Sequence, residues 1–272
     1  MRNAMIAMMA LGLIGFDGDR AFAFEPVKIY QATEIVTGND TRQRPLGFAR
    51  CLSDVIVKAT GNPALANDPR VTALSQHADT YVAYYLYRDR FEGFHHHDDQ
   101  GTYDRPYDLT VQFDPPKIDS LLADLGEKPW TVKRPTLIPI ISVAGEDPPY
   151  RLTHPLSSDL STDDPVIADQ RRSIELFADK YGIYLSLPTT NDIANWGPDG
   201  SKAAVGSNTA LVTGSLFYRE SAGGWSGQWR LHWKGAEYDW GLKGGSFDNA
   251  YENLVSGAVR ILSRGGSQPL KY

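Results

Sequence analysis

Five consecutive residues, His95, His96, His97, Asp98 and Asp99, place three of the chain's six histidines beside two carboxylates. Neutral imidazole and carboxylate oxygen are ligands for zinc, nickel or copper. Adjacent side chains on an extended segment point to opposite faces, and a catalytic three-histidine site draws on spaced positions. This spacing therefore permits a loop that wraps an ion such as zinc weakly; the other reading is a solvated polar loop. The remaining histidines, His77, His154 and His232, are isolated. No nucleophile elbow, HExxH, Walker loop or dinucleotide fingerprint occurs, which argues against the familiar enzyme classes but not against every enzyme. Of the Asp163–Asp164 pair, Asp164 is explained as a helix cap ahead of Pro165.

A second candidate is aromatic. Trp229, Leu231 and Trp233 alternate with Gln228, Arg230 and His232, and across Lys234-Gly-Ala236 the residues Tyr238, Trp240 and Leu242 form a matching apolar row. This is the pattern of a hairpin with one apolar and one polar face. The apolar face is expected to be core, covered by the last helix. Trp225 precedes the alternating run, is read as lying in a turn, and is the one tryptophan expected as an exposed binding anchor.

The elements that would position these residues are legible from periodicity. Val27–Val36 reads as a strand. Leu46, Ala49, Leu52, Val55, Ile56 and Ala59 recur at helical spacing up to Gly61, with Arg50, Asp54 and Lys58 on the opposite, wet face. Asp68-Pro69, Asp114-Pro115 and Asp164-Pro165 each read as an N-cap followed by Pro at the first helical position. Tyr81–Tyr87, Tyr107–Phe113, Thr136–Val143, Ile183–Leu187 and Ala210–Tyr218 read as strands, and Phe91–Arg105 and Thr189–Ser207 as loops. Ser246 caps a last helix with Ala250, Tyr251, Leu254, Val255, Ala258, Ile261 and Leu262 on one stripe. The predicted class is α+β, with mainly antiparallel sheets, helices packed on one face and two sub-domains. These are residues 24–143 and 165–266, joined by a Pro-, Asp- and Ser-rich linker at 144–164 and followed by a tail at 267–272.

The N-terminus reads as a secretory signal peptide over residues 1–23. Arg2 gives the charged start, Ala4–Phe16 is nearly all apolar but short of the roughly 20 residues of a spanning helix, and Ala21-Phe-Ala23 gives a small-x-small cleavage site. Cleavage near Ala23 predicts a soluble periplasmic or secreted product of about 250 residues, enough for one large domain or two small ones. No later apolar run approaches spanning length, so no transmembrane helix is expected in the mature chain. Cys51 is the only cysteine; an intramolecular disulfide is impossible, and Cys51 reads as a packed helix residue. A net charge of −6 without a basic run gives no electrostatic case for nucleic acid.

Several landmarks together resemble a bacterial family catalogued as domain of unknown function 2066. They are Leu52-Ser-Asp-Val-Ile-Val-Lys-Ala-Thr-Gly61, Tyr107-Asp-Leu-Thr-Val-Gln-Phe-Asp114, Trp130-Thr-Val-Lys-Arg-Pro135 leading into Leu137–Ile141, Ala178–Pro188, and Thr209–Ser215 before the tryptophan-rich hairpin. The resemblance implies an exported bacterial protein and assigns no activity, cofactor or catalytic residue. The second half is similar at fold level to envelope adaptor modules of the curli-secretion and penicillin-binding-protein-activator type. The expected function is a non-enzymatic binding module of the cell envelope with an envelope protein as partner. The alternative is a metal-binding protein or metal-dependent enzyme using His95–Asp99.

Overall fold

The computed structural model of the protein describes residues 28–93, 105–145, 148–155, 164–197, 200, 202–203 and 206–265. The expected leader at residues 1–23, the His95–Asp99 run and the 267–272 tail lie outside the described residues. The class is α+β. A three-stranded antiparallel sheet has the order β1 (Gln31–Thr37), β3 (Pro106–Phe113), β2 (Val82–Asp89). A larger sheet runs β5 (Tyr150–Arg151), β4 (Thr136–Ala144), β7 (Thr209–Arg219), β8 (Gly224–Trp233), β9 (Ala236–Leu242). β6 (Tyr184–Leu185) also pairs with β4.

The inner face of the small sheet is covered by α1 (Arg44–Thr60). Alternate β3 residues Leu109, Val111 and Phe113 are fully buried beneath Cys51, Leu52, Val55 and Ile56. Leu52, Val55, Ile56 and Ala59 are buried as expected, and the stripe departs from expectation only at the start of the helix. Phe48 and Cys51 point inward and Leu46 is exposed. Gly61 ends α1 in the left-handed conformation (φ 66°), its N–H bonded to the Val57 carbonyl, as a C-terminal glycine should. Cys51 is buried and free, with Sγ 3.8 Å from the Ala32 carbonyl oxygen.

All three Asp-Pro pairs cap helices. Asp68 accepts from the Arg70 N–H at the start of α2 (Pro69–Ser75), Asp114 from the Lys117 N–H of α3 (Pro115–Asp124), and Asp164 from the Val166 N–H of α4 (Pro165–Lys180). Thr189–Ser207, expected as loop throughout, begins with a helix, α5 (Thr190–Trp196). Its signal was Thr189 three residues before Asp192, which form a reciprocal capping box.

The expected linker takes part in the larger sheet. Ser142 and Val143 of β4 pair with Arg151 and Tyr150 of β5, and Leu152 beyond them is fully buried. β4, placed by sequence in the first half, pairs in parallel with β7 along its whole length. Between them α4 forms the crossover and packs beside α6 (Phe247–Ser263). The hydrophobic core is continuous from Ala32 to Leu262.

Polar contacts close the join between the small sheet and the helices of the large one. Arg134, only 5% exposed, donates to the Gly182 carbonyl at 2.8 Å and to the Lys58 carbonyl at 2.7 Å, and stacks on Trp130. Lys58, expected on a wet face, is 2% exposed. Its ammonium donates to the Gln31 carbonyl at 3.0 Å and lies 3.6 Å from the Asp179 carboxylate. The correction has a simple cause: the C-terminal end of the polar stripe of α1 meets α4 and β1, while Arg50 at its start stays exposed as expected.

Candidate functional site: the outer face of the large sheet

Strand alternation divides the β7–β8–β9 hairpin system into two chemistries. The inner face is the aromatic core. Trp229 and Trp233 are buried, and Tyr238, Trp240 and Leu242 are half-buried against the core. The Trp229 and Trp240 indoles are satisfied from α6: Trp229 Nε1 donates to Asn253 Oδ1 at 3.1 Å, and Trp240 Nε1 to the Asn253 carbonyl at 3.0 Å. Gly257 lets the helix approach, because a methyl there would run into the Trp240 ring. The expected core role of this aromatic row is therefore met.

Trp225 belongs to that same face. It is a residue of β8, not of a turn, and is half-buried, edge-on to its cross-strand neighbour Tyr218 with ring centres 5.6 Å apart. Its ring also lies across Gly145 at the end of β4. The signal that could have placed it is the spacing 225, 229, 233: even separations share a face of a strand.

The outer face is polar and forms a cleft of about 860 Å³, within the roughly 300–1,000 Å³ usual for ligand sites. Register fixes its floor. Thr213 lies beside Arg230, which lies beside Asp239. Ser215 lies beside Gln228, which lies beside Gly241. Gly241 has no side chain to fill the centre of the face, and a Cβ there would strike the Gly227 carbonyl oxygen. Phe217 and Ser226 form the next rung, and Ser226 Oγ accepts the Gly244 N–H.

The charges are unevenly distributed. At one end Arg230 holds Asp239 by two hydrogen bonds of 2.7 and 3.0 Å and lies 3.5 Å from Glu237. The Arg230 guanidinium keeps the Asp239 carboxyl below the usual carboxylate range. His232 continues this ladder, with Nδ1 3.2 Å from Glu237 and Nε2 3.4 Å from Thr213 Oγ1. The order hydroxyl, imidazole, carboxylate can relay a proton. Yet the first contact is long, His232 is partly and Glu237 well exposed, and these groups act as a cross-strand polar ladder. At the other end Arg219 lies over the Phe217 ring, 4.8 Å from its centre, and Lys243 follows the last residue of β9. Both are exposed, and among the described residues neither has a carboxylate within ion-pair distance.

Sequence reasoning put Gln228, Arg230 and His232 together on the face opposite the tryptophans, as found. It missed Arg219, Lys243 and the gap at Gly241, which only the cross-strand register brings to the same cleft. It also missed a pair of carboxyl groups. Asp54 of α1 hydrogen-bonds Glu34 of β1, and its pKa is pushed up to about 7, first by burial and then by the neighbouring Glu34 charge, against the opposing pull of Lys180. Burial likewise depresses the Lys58 ammonium and raises the Cys51 thiol. Beside this cluster Tyr181 and Lys180 both donate to Glu252 of α6, at 2.9 and 3.2 Å. These groups form part of the join between α1, α4 and α6.

Among the described residues no cluster of three or more His, Cys, Asp or Glu side chains could hold a metal, and no helix is long and apolar enough to cross a membrane. Residues 23–131 match the family model of a domain of unknown function, DUF8605. The matched range takes in the small sheet with α1, α2 and α3 and ends before β4. No curated protein matches the chain.

Proposed function

We propose that the protein is an exported, non-enzymatic binding module of the bacterial cell envelope that uses the outer face of β7–β9 to hold a carboxylate-bearing ligand. The observation that carries this reading is the pair Arg219 and Lys243, two exposed cations without a carboxylate partner among the described residues, at one end of a cleft whose floor is Ser215, Gln228 and Gly241. Hydroxyl and amide groups on the floor suit a ligand rich in hydrogen-bonding groups, the ring of Phe217 offers an apolar surface, and the cations supply charge-assisted contacts to carboxylate. The leader-like pattern of residues 1–23 and the sequence resemblance to an exported family support an envelope address. Envelope chemistry then favours glycopeptide as the ligand class.

The test is isothermal titration of a soluble peptidoglycan fragment, a disaccharide carrying an acidic tetrapeptide, into the protein and into an Arg219→Ala/Lys243→Ala variant. Each exposed charge-assisted contact contributes about 1 kcal/mol or more, so the double variant binds at least tenfold more weakly. Equal heats for both proteins, or none for either, reject the proposal.

A further inference from the structure

Exposed sheet edges invite pairing, and proteins blunt them with charges or shorten them. Three of the edges here follow that rule. β9 carries Glu237 and Asp239, β5 is two residues long, and β1 has Glu34 at its centre. β2 is the least protected of the four: its charges, Arg88 and Asp89, lie at one end and its bulge at the other, and between them Tyr84–Tyr87 is uncharged, with Tyr84 at 56% and Leu86 at 49% exposed.

We propose that β2 is the self-association edge of this protein, pairing antiparallel with β2 of a second copy about a two-fold axis through Leu86. The argument for a second copy is the strand's complementarity to itself. A bulge between Val82 and Tyr84 ends the regular part of β2, which then runs from Tyr84 to Asp89. Centring the axis on Leu86 pairs Tyr84 of each copy with Arg88 of the other, Tyr85 with Tyr87, and Leu86 with itself. Arg88 is held in place by Asp108 at 2.7 Å while 72% of its side chain stays exposed, so its guanidinium is presented to stack on the opposing Tyr84 ring.

On the other face the row Phe48, Tyr85, Tyr87, Tyr107 already packs edge to face, at 5.1, 5.9 and 6.1 Å between ring centres. The Tyr85–Tyr87 pairs would carry that row into the second copy. Moving the axis to Tyr85 draws the bulged Ala83 into the paired region, and moving it to Tyr87 sets Asp89 against Tyr85. Leu86 is thus the centre the strand favours. Two three-stranded sheets become one continuous sheet, leaving Ile35, Tyr84 and Leu86 on a common open face.

A strand pair of this length is at the small end of specific interfaces, so the dissociation constant should be on the order of 10 µM to 1 mM. Sedimentation equilibrium of the full chain should show the mass rising towards double across that range. Leu86→Lys sets two like charges against each other and should raise the dissociation constant at least tenfold, with an unchanged thermal melt because Leu86 is exposed. Leu86→Cys should cross-link under mild oxidation, since directly opposed Cβ atoms lie about 5 Å apart and the native thiol, Cys51, is buried. Thr33→Cys, on the far strand of the same sheet, should not. A chain that stays monomeric at about 1 mM overturns the proposal, as does a dimer indifferent to Leu86→Lys.

Discussion

Replacing Asp54 with asparagine should change how stability depends on pH, and the sign follows from the join around α1. The Asp54 carboxyl is raised from an ordinary 3.8 to about 7 in the folded protein. Between those values the folded chain keeps a proton that the unfolded chain has lost. Stability is therefore greatest below the unfolded pKa and falls as pH rises through the folded pKa. From about pH 5 to about pH 7 the loss is about 1.4 kcal/mol per pH unit, so about 3 kcal/mol is the ceiling over that interval. Because Asp54 keeps some contact with water and sits among other charged groups, about 2 kcal/mol is the working figure.

The amide introduced by Asp54→Asn retains a hydrogen bond to Glu34 and has no proton to lose. Urea unfolding of both proteins at about pH 5 and about pH 8 measures the effect, since groups remote from Asp54 titrate alike in the two chains. The variant should lose about 2 kcal/mol less than the parent over that interval. Glu34→Gln should give an intermediate slope, because burial of Asp54 remains after the neighbouring charge is gone. Parallel pH profiles for the parent and Asp54→Asn would refute the reasoning.

The packing of α6 over the aromatic face gives two further tests. Gly257→Ala drives a methyl into the Trp240 indole; helix propensity gains up to about 1 kcal/mol but overpacking costs about 1–3, so thermal melts should show a net loss. Asn253→Ala leaves the Trp229 N–H without its acceptor and should cost about 1–3 kcal/mol. In a double-mutant cycle with Trp229→Phe most of that cost should vanish, and a purely additive cycle would contradict the assigned hydrogen bond.

Local signals were readable wherever one segment alone decides the outcome. Asp68, Asp114 and Asp164 announced helix starts because cap chemistry needs only the next few residues. The hairpin at Lys234-Gly235 was visible in the alternation on either side of it. What was hidden depends on partners distant in sequence. β4 joins β7 in parallel across more than a whole helix, and nothing in Thr136–Ala144 names its partner. Asp54 and Lys58 look like solvent residues until α4 covers them. α5 is built from Asn191, Asp192 and Asn195, which are poor helix formers, so its capping box was outweighed. The cleft shows both kinds of information. Its polar side chains could be assigned to one face from spacing, whereas its shape depends on the register that sets Gln228 beside Gly241.

Binding at that cleft can be observed residue by residue. Amide chemical-shift mapping with the peptidoglycan disaccharide-tetrapeptide should move Ser215, Gln228 and Gly241 strongly while leaving Trp229 and Asn253, under α6, nearly still. Perturbations confined to the α6 side of the sheet, or no perturbation at millimolar ligand, would contradict the assignment of the outer face as the binding surface.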